Sequence, residues 1–198
     1  SVINNAAHNG GGIYNQGGAR SLALVNLKSC LIEKNQAKEC GAGIYSVGNT
    51  VNMSPGTTIS GNIAGNSGGG VYLAPSKYVL NMDGGNIHDN HANASGGGIF
   101  NYGGDVHLNG GNIASNTARI GAGALNGGGK ITLCGTRIHS NTADRDGDGL
   151  GGGIWNGGTL ILKGGSIDHN HALRNGGGIC QKKNKELPDN LALVHDNT

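Results

Sequence analysis

Histidine and aspartate recur together at one place in this chain, in a pattern that suits proton transfer or metal ligation. His139 stands in one copy of a repeated segment, and Asp168 with His169 stand at the same place in the next copy. Stacked copies bring such side chains within reach of one another, as general acid–base work or a metal site requires. His195 and Asp196 join them only if Leu191 to Val194 run straight into the following corner. If that stretch instead repeats the role of Leu22 to Val25, they fall out of line. The same residue types also serve as ordinary solvated turn residues, and His88 with Asp89 recurs alone three copies before Asp168.

Three further sets have spacings with chemical meaning. Tyr14, Tyr45, Tyr72, Phe100 and Trp155 follow the same apolar landmark in five copies, while Leu125 and Cys180 take that place in two others. Alternation turns this position outward, giving either a platform for sugar rings or a partner surface, or a stack that only stabilises its sheet. Asp144, Asp146 and Asp148 with Gly149 occupy positions one, three, five and six of a calcium-type loop, but its twelfth position is Trp155 rather than a carboxylate. Calcium is therefore the one candidate cofactor and none is required; the alternative is a polar surface bulge. Cys30, Cys40, Cys134 and Cys180 show no metal spacing. Cys30 and Cys40 flank one corner and can pair, whereas Cys134 and Cys180 lie two copies apart.

These positions are aligned by a repeat. Asn5, Asn35, Asn62, Asn90, Asn116, Asn141 and Asn170 each precede an Ala by two residues, at intervals of 25 to 30. Each copy then carries a small-residue triplet, Gly10 to Gly12 in the first and Gly176 to Gly178 in the last, followed by an apolar residue and a short alternating pair such as Val106 and Leu108. Short segments of period two argue for strands. One copy buries almost nothing alone, so the copies must stack in parallel, each strand over its counterpart. The expected fold is all-β: a right-handed parallel β-helix of about seven coils, with three short strands per coil and a length of roughly 34 Å. Within it, the corner Asn suits a left-handed turn and an amide ladder, the Ala a tight inner corner, and the outer triplet glycines a positive φ or a close backbone approach.

Composition agrees. Glycine supplies 41 of the 198 residues and asparagine 26, while charged residues make up only 13%. Three prolines and no strict three-residue glycine period exclude collagen. A net charge of +2 without a basic stripe excludes nucleic acid as the expected partner. No apolar run is long enough to span a membrane. Ice binding needs an outward threonine row, which Ala6, Gln36, Ile63, His91, Thr117, Thr142 and His171 do not form.

The segments GGGIYN (10–15), GGGIFN (96–101) and GGGIWN (151–156), each with its downstream Asn-x-Ala, resemble the repeats of bacterial and archaeal surface β-helix proteins. These include autotransporter-like passengers akin to polymorphic outer membrane proteins, adhesin-like proteins of methanogens and, more distantly, the pectin-lyase-like superfamily. The resemblance covers essentially the whole chain. It implies an extracellular or cell-surface module, adhesive or structural, with glycans or a host surface as ligand. The enzymes of that superfamily carry clustered charges on long loops, whereas the turns here are short; the competing reading is a polysaccharide lyase or hydrolase using His139, Asp168 and His169. Residues 1–198 read as one domain, a module or processed fragment of a longer repeat protein. The lack of capping elements points to self-association end to end, or to neighbouring repeats of the parent chain.

Overall fold

The computed structural model describes residues 1–17, 23–48, 50–75, 78–144, 147, 149–183 and 193–198. The chain is a parallel β-solenoid of about six turns with four parallel sheets. The first sheet runs through eight strands, from Val2–Ile3 by way of Leu31–Glu33 and Ser166–Asp168 to Val194–His195. The second has seven strands of two residues each, from Ala6–Ala7 to His171–Ala172. The third has seven, from Ile13–Gln16 to Ile179–Gln181, and the fourth six, from Leu24–Leu27 to Thr159–Leu162.

Two numbers differ from the sequence expectation. A coil has four strands rather than three, because the Asn-x-Ala corner is itself a two-residue strand, as at Thr117–Ala118. Two residues cannot display a period of two, so this strand has no signature of its own. The turn count is about six rather than seven because the fourth sheet has six strands among the described residues; the stretch after Ile179–Gln181 that would supply a seventh lies mostly outside them.

The core follows from register. Ile32, Ile59, Ile87, Ile113, Ile138 and Ile167 pair in succession along the first sheet and are at most 1% exposed. Met53, Met82, Leu108 and Leu133 form a facing column from the fourth sheet. Each such burial contributes about 1.5–3 kcal/mol. Ala37, Ala64, Ala92, Ala118 and Ala143 make a second, thinner core with Ala42 and Ala122. A larger side chain there would push the narrow second sheet away from the tube.

Asparagine does a different job from the one its left-handed propensity suggests. Positive φ falls on the residue before it: Asn4, Lys34, Asp89, Ser115, Ser140, His169 and Asp196, with Gly61 in the remaining coil. The ladder Asn is then free to face inward. Asn116 Nδ2 donates to the Ile87 carbonyl at 2.9 Å and to Asn141 Oδ1 at 3.0 Å, while its own Oδ1 accepts from the backbone N–H and Nδ2 of Asn90. The same pattern runs unbroken from Asn5 to Asn170 and continues to Asn197. A buried amide left unpaired costs about 1–3 kcal/mol, so satisfaction of every interior rung is what makes the column tolerable.

The glycine triplet has two separate requirements. Gly96 adopts φ +63°, and a Cβ on Gly98 would lie 2.6 Å from the Gly123 carbonyl oxygen of the next coil. The middle position accepts Ala42 and Ala122, both fully buried.

Candidate functional site

The outward position after the triplet is placed by the third sheet, whose register sets Tyr14 over Tyr45, Tyr45 over Tyr72 and Tyr72 over Phe100. Their ring centroids are 5.1, 5.0 and 4.8 Å apart, with planes inclined by 3°, 7° and 12°. An aromatic ring is too wide to lie flat beside a neighbour one strand spacing away, so parallel rings at this distance stand face to face. The column therefore turns ring edges and hydroxyl rims outward, not ring faces. Leu125 ends the stack, being the register partner of both Phe100 and Trp155. Four of the five aromatics thus stack, and Trp155 stands apart beyond a buried leucine. Tyr102, exposed and two residues past Phe100, tilts at 42° against it with centroids 6.4 Å apart.

Burial pushes the Tyr72 phenol well above its usual range and that of Tyr45 upward, each reinforced by neighbouring phenols and by Cys40. The Tyr45 and Tyr72 hydroxyls are therefore neutral at physiological pH. Tyr78 lies inside the tube: its hydroxyl accepts from the Gly103 N–H at 2.8 Å and donates to Asn101 Oδ1. Asn101, Asn126 and Asn156 then form a second buried amide ladder that ends on Gln181. Neither Tyr78 nor this ladder was expected. Recurrence of Asn two places after the landmark in GGGIYN, GGGIFN and GGGIWN was the signal available for the ladder.

The acid–base candidates come together at the end of the first sheet. His139 is the register partner of Asp168, and Asp168 of His195, so Val194–His195 bring His195 into line with them, while Leu191 and Ala192 lie outside the described residues. Asp168 is 1% exposed. Its carboxylate accepts from Arg137 Nε at 3.0 Å and Nη2 at 2.6 Å, from Ser166 Oγ at 2.7 Å, and lies 2.8 Å from His169 Nδ1. Arg137 above all, then Ser166 and His169, holds the carboxyl far below the usual carboxylate range against the opposing effect of burial. Burial and then the Arg137 charge lower the His139 pKa. A carboxylate with both oxygens committed to internal donors is a positioning and stabilising group, not a free base. Arg137 and Ser166 went unremarked in the sequence although they precede His139 and Asp168 by two residues, which places them on the same outer face.

Asp144 is exposed just past the strand Thr142–Ala143, whereas Asp146 and Asp148 lie outside the described residues. Among the described residues no three His, Cys, Asp or Glu side chains are grouped to hold a metal. All four cysteines are free thiols, Cys134 the most exposed. Burial pushes the thiols of Cys40 and Cys180 upward in pKa. Among the described residues no helix is long and apolar enough to cross a membrane. Comparison with protein-family models, curated proteins and solved structures finds no match for the chain.

Proposed function

We propose that this solenoid is a structural or adhesive module of an extracellular or cell-surface protein, acting through its extended faces on glycans or on a host surface. The observation that carries this reading is the aromatic column: three tyrosine hydroxyls repeat at one-coil intervals on an outer face beside a stack that holds them in line. A row of hydroxyls at fixed spacing suits hydrogen bonding to the hydroxyls of an extended polysaccharide, with ring edges supplying apolar contact. Assembly end to end, or with further repeats of a longer chain, would extend that face along the axis. The pairing of Asp168 with Arg137 argues against the polysaccharide lyase or hydrolase reading, because the best-placed carboxylate is already used.

Retention on insoluble polysaccharides tests this directly. The chain with Tyr14, Tyr45 and Tyr72 all changed to Ser should lose retention while keeping its circular dichroism. Unchanged retention would remove the column as the contact face.

A further inference from the structure

We propose that the aromatic column, with the side-chain row beside it, binds rigid, rod-like conjugated molecules lying along the solenoid axis. Because the four rings stack at 4.8 to 5.1 Å with planes within 12°, every face except those at the two ends of the stack is covered by a neighbouring ring. The surface offered to a ligand is a line of ring edges, which carry the positive rim of the aromatic quadrupole. The complement to such a line is the opposite partner: an extended π face, met edge-to-face once per coil. A flexible ligand would lose rotational freedom to match four contacts in line, whereas a conjugated rod is already straight.

The neighbouring row gives this line a border. Strand alternation puts Gln16 and Val47 on the same outer face as Tyr14 and Tyr45, about 7 Å along the strands. In the next coil the equivalent place is Ala74, small and buried, and in the following one it is Tyr102, whose ring is exposed and tilted against Phe100. The row is therefore uneven: Gln16 and Val47 stand outward, Ala74 is covered, and the exposed Tyr102 ring stands at the far end of the column. Neutral Tyr45 and Tyr72 phenols keep charge out of the contact. The ligand class is defined by shape and π surface: two or more fused or conjugated rings in one rigid line.

Thioflavin T, a benzothiazole rod, is a suitable probe, titrated into the intact 198-residue chain as a size-selected monomer, with fluorescence and anisotropy read together. Saturable binding of one dye per chain is expected. Tyr45→Ser with Tyr72→Ser should weaken it about tenfold or more, from two lost aromatic contacts, and benzothiazole alone, too short to span the column, should not compete. Tyr102→Ser, at an exposed ring, should weaken binding without touching the stack, and it decides the matter if the double variant loses its circular dichroism. Absence of saturable binding by the monomer would overturn the proposal, as would unchanged affinity in folded Tyr102→Ser and double-variant chains. The column is the contact face in both proposals but the ligands differ. Dye binding without glycan retention removes only the earlier reading, and glycan retention without dye binding removes only this one.

Discussion

Arg137 grips Asp168 diagonally across one coil: the two are not register partners, since Arg137 sits opposite Ser166 and Asp168 opposite His139. The guanidinium still reaches both carboxylate oxygens, Nε to Oδ2 at 3.0 Å and Nη2 to Oδ1 at 2.6 Å. This clamp adds a charged side-chain tie between two adjacent coils to the amide ladder and backbone pairing that join the same coils.

Asp168→Asn should therefore destabilise the fold by about 1.5–3 kcal/mol at neutral pH, the usual worth of hydrogen bonds to a charged group. Because the folded-state pKa is depressed below its ordinary 3.8, the stabilisation is present above that value and is lost as pH falls below it. Urea denaturation at several pH values should show wild type and Asp168→Asn differing by a constant amount from pH 7 to about 5 and converging below 3.8. His139, whose pKa is lowered by burial, adds a smaller loss as pH falls below its ordinary 6.5, because there the unfolded chain takes up the proton first.

The Asn ladder predicts a positional effect. Asn116→Ala removes a rung that donates to two groups and accepts from two, leaving Asn90 and the Ile87 carbonyl short of partners. A cost of about 3 kcal/mol or more is expected. Asn5→Ala, at an exposed first rung, should cost about 1 kcal/mol or less. Equal costs in denaturant titrations would contradict a ladder that is buried in its middle.

Glycine substitutions should separate by coil geometry. Gly98→Ala forces a Cβ to 2.6 Å from a carbonyl oxygen and 3.1 Å from Asn116 Nδ2, so the chain should lose several degrees of melting temperature. Gly103→Ala, with nothing within 4 Å of its Cβ, should leave the melting temperature unchanged.

Thiol labelling should rank the cysteines. Cys134 is exposed and should react first with a disulfide reagent, while Cys40 and Cys180, half-buried and with raised pKa, should react more slowly. Mass spectrometry after brief labelling gives the order; faster reaction at Cys40 than at Cys134 would place that thiol in different surroundings.

The repeat made the fold legible because stacking converts sequence period into spatial columns. The Ile positions, the alternation of Val106 with Leu108 and the triplet glycines each mark one column, and each is where the period puts it. What stayed hidden lacks a period of its own. The two-residue second-sheet strands are too short for alternation, and Asn197 escapes an Asn-x-Ala search because the Ala position of that search falls past Thr198. Left-handed φ settled on residues as unlike as Lys34 and His169, set by their place before the ladder Asn rather than by side-chain type. At the aromatic site the column itself was readable, but the direction in which its rings face was not. That depends on a strand spacing narrower than a ring, which no residue type announces.

One-coil register underlies the core columns, both amide ladders and the aromatic face alike, and a pair of introduced cysteines measures it. In a chain with the four native cysteines changed to Ser, Asn52→Cys with Asn81→Cys places thiols on register partners of adjacent coils. Their Cα atoms are about one strand spacing apart, within the span a disulfide bridges. Asn52→Cys with His107→Cys sets them two coils apart. Mild oxidation followed by intact-mass analysis should show the first pair closed within the monomer and the second open. Closure of both pairs to the same extent, or of neither in a chain that keeps its β-sheet circular dichroism, would contradict the stacked register.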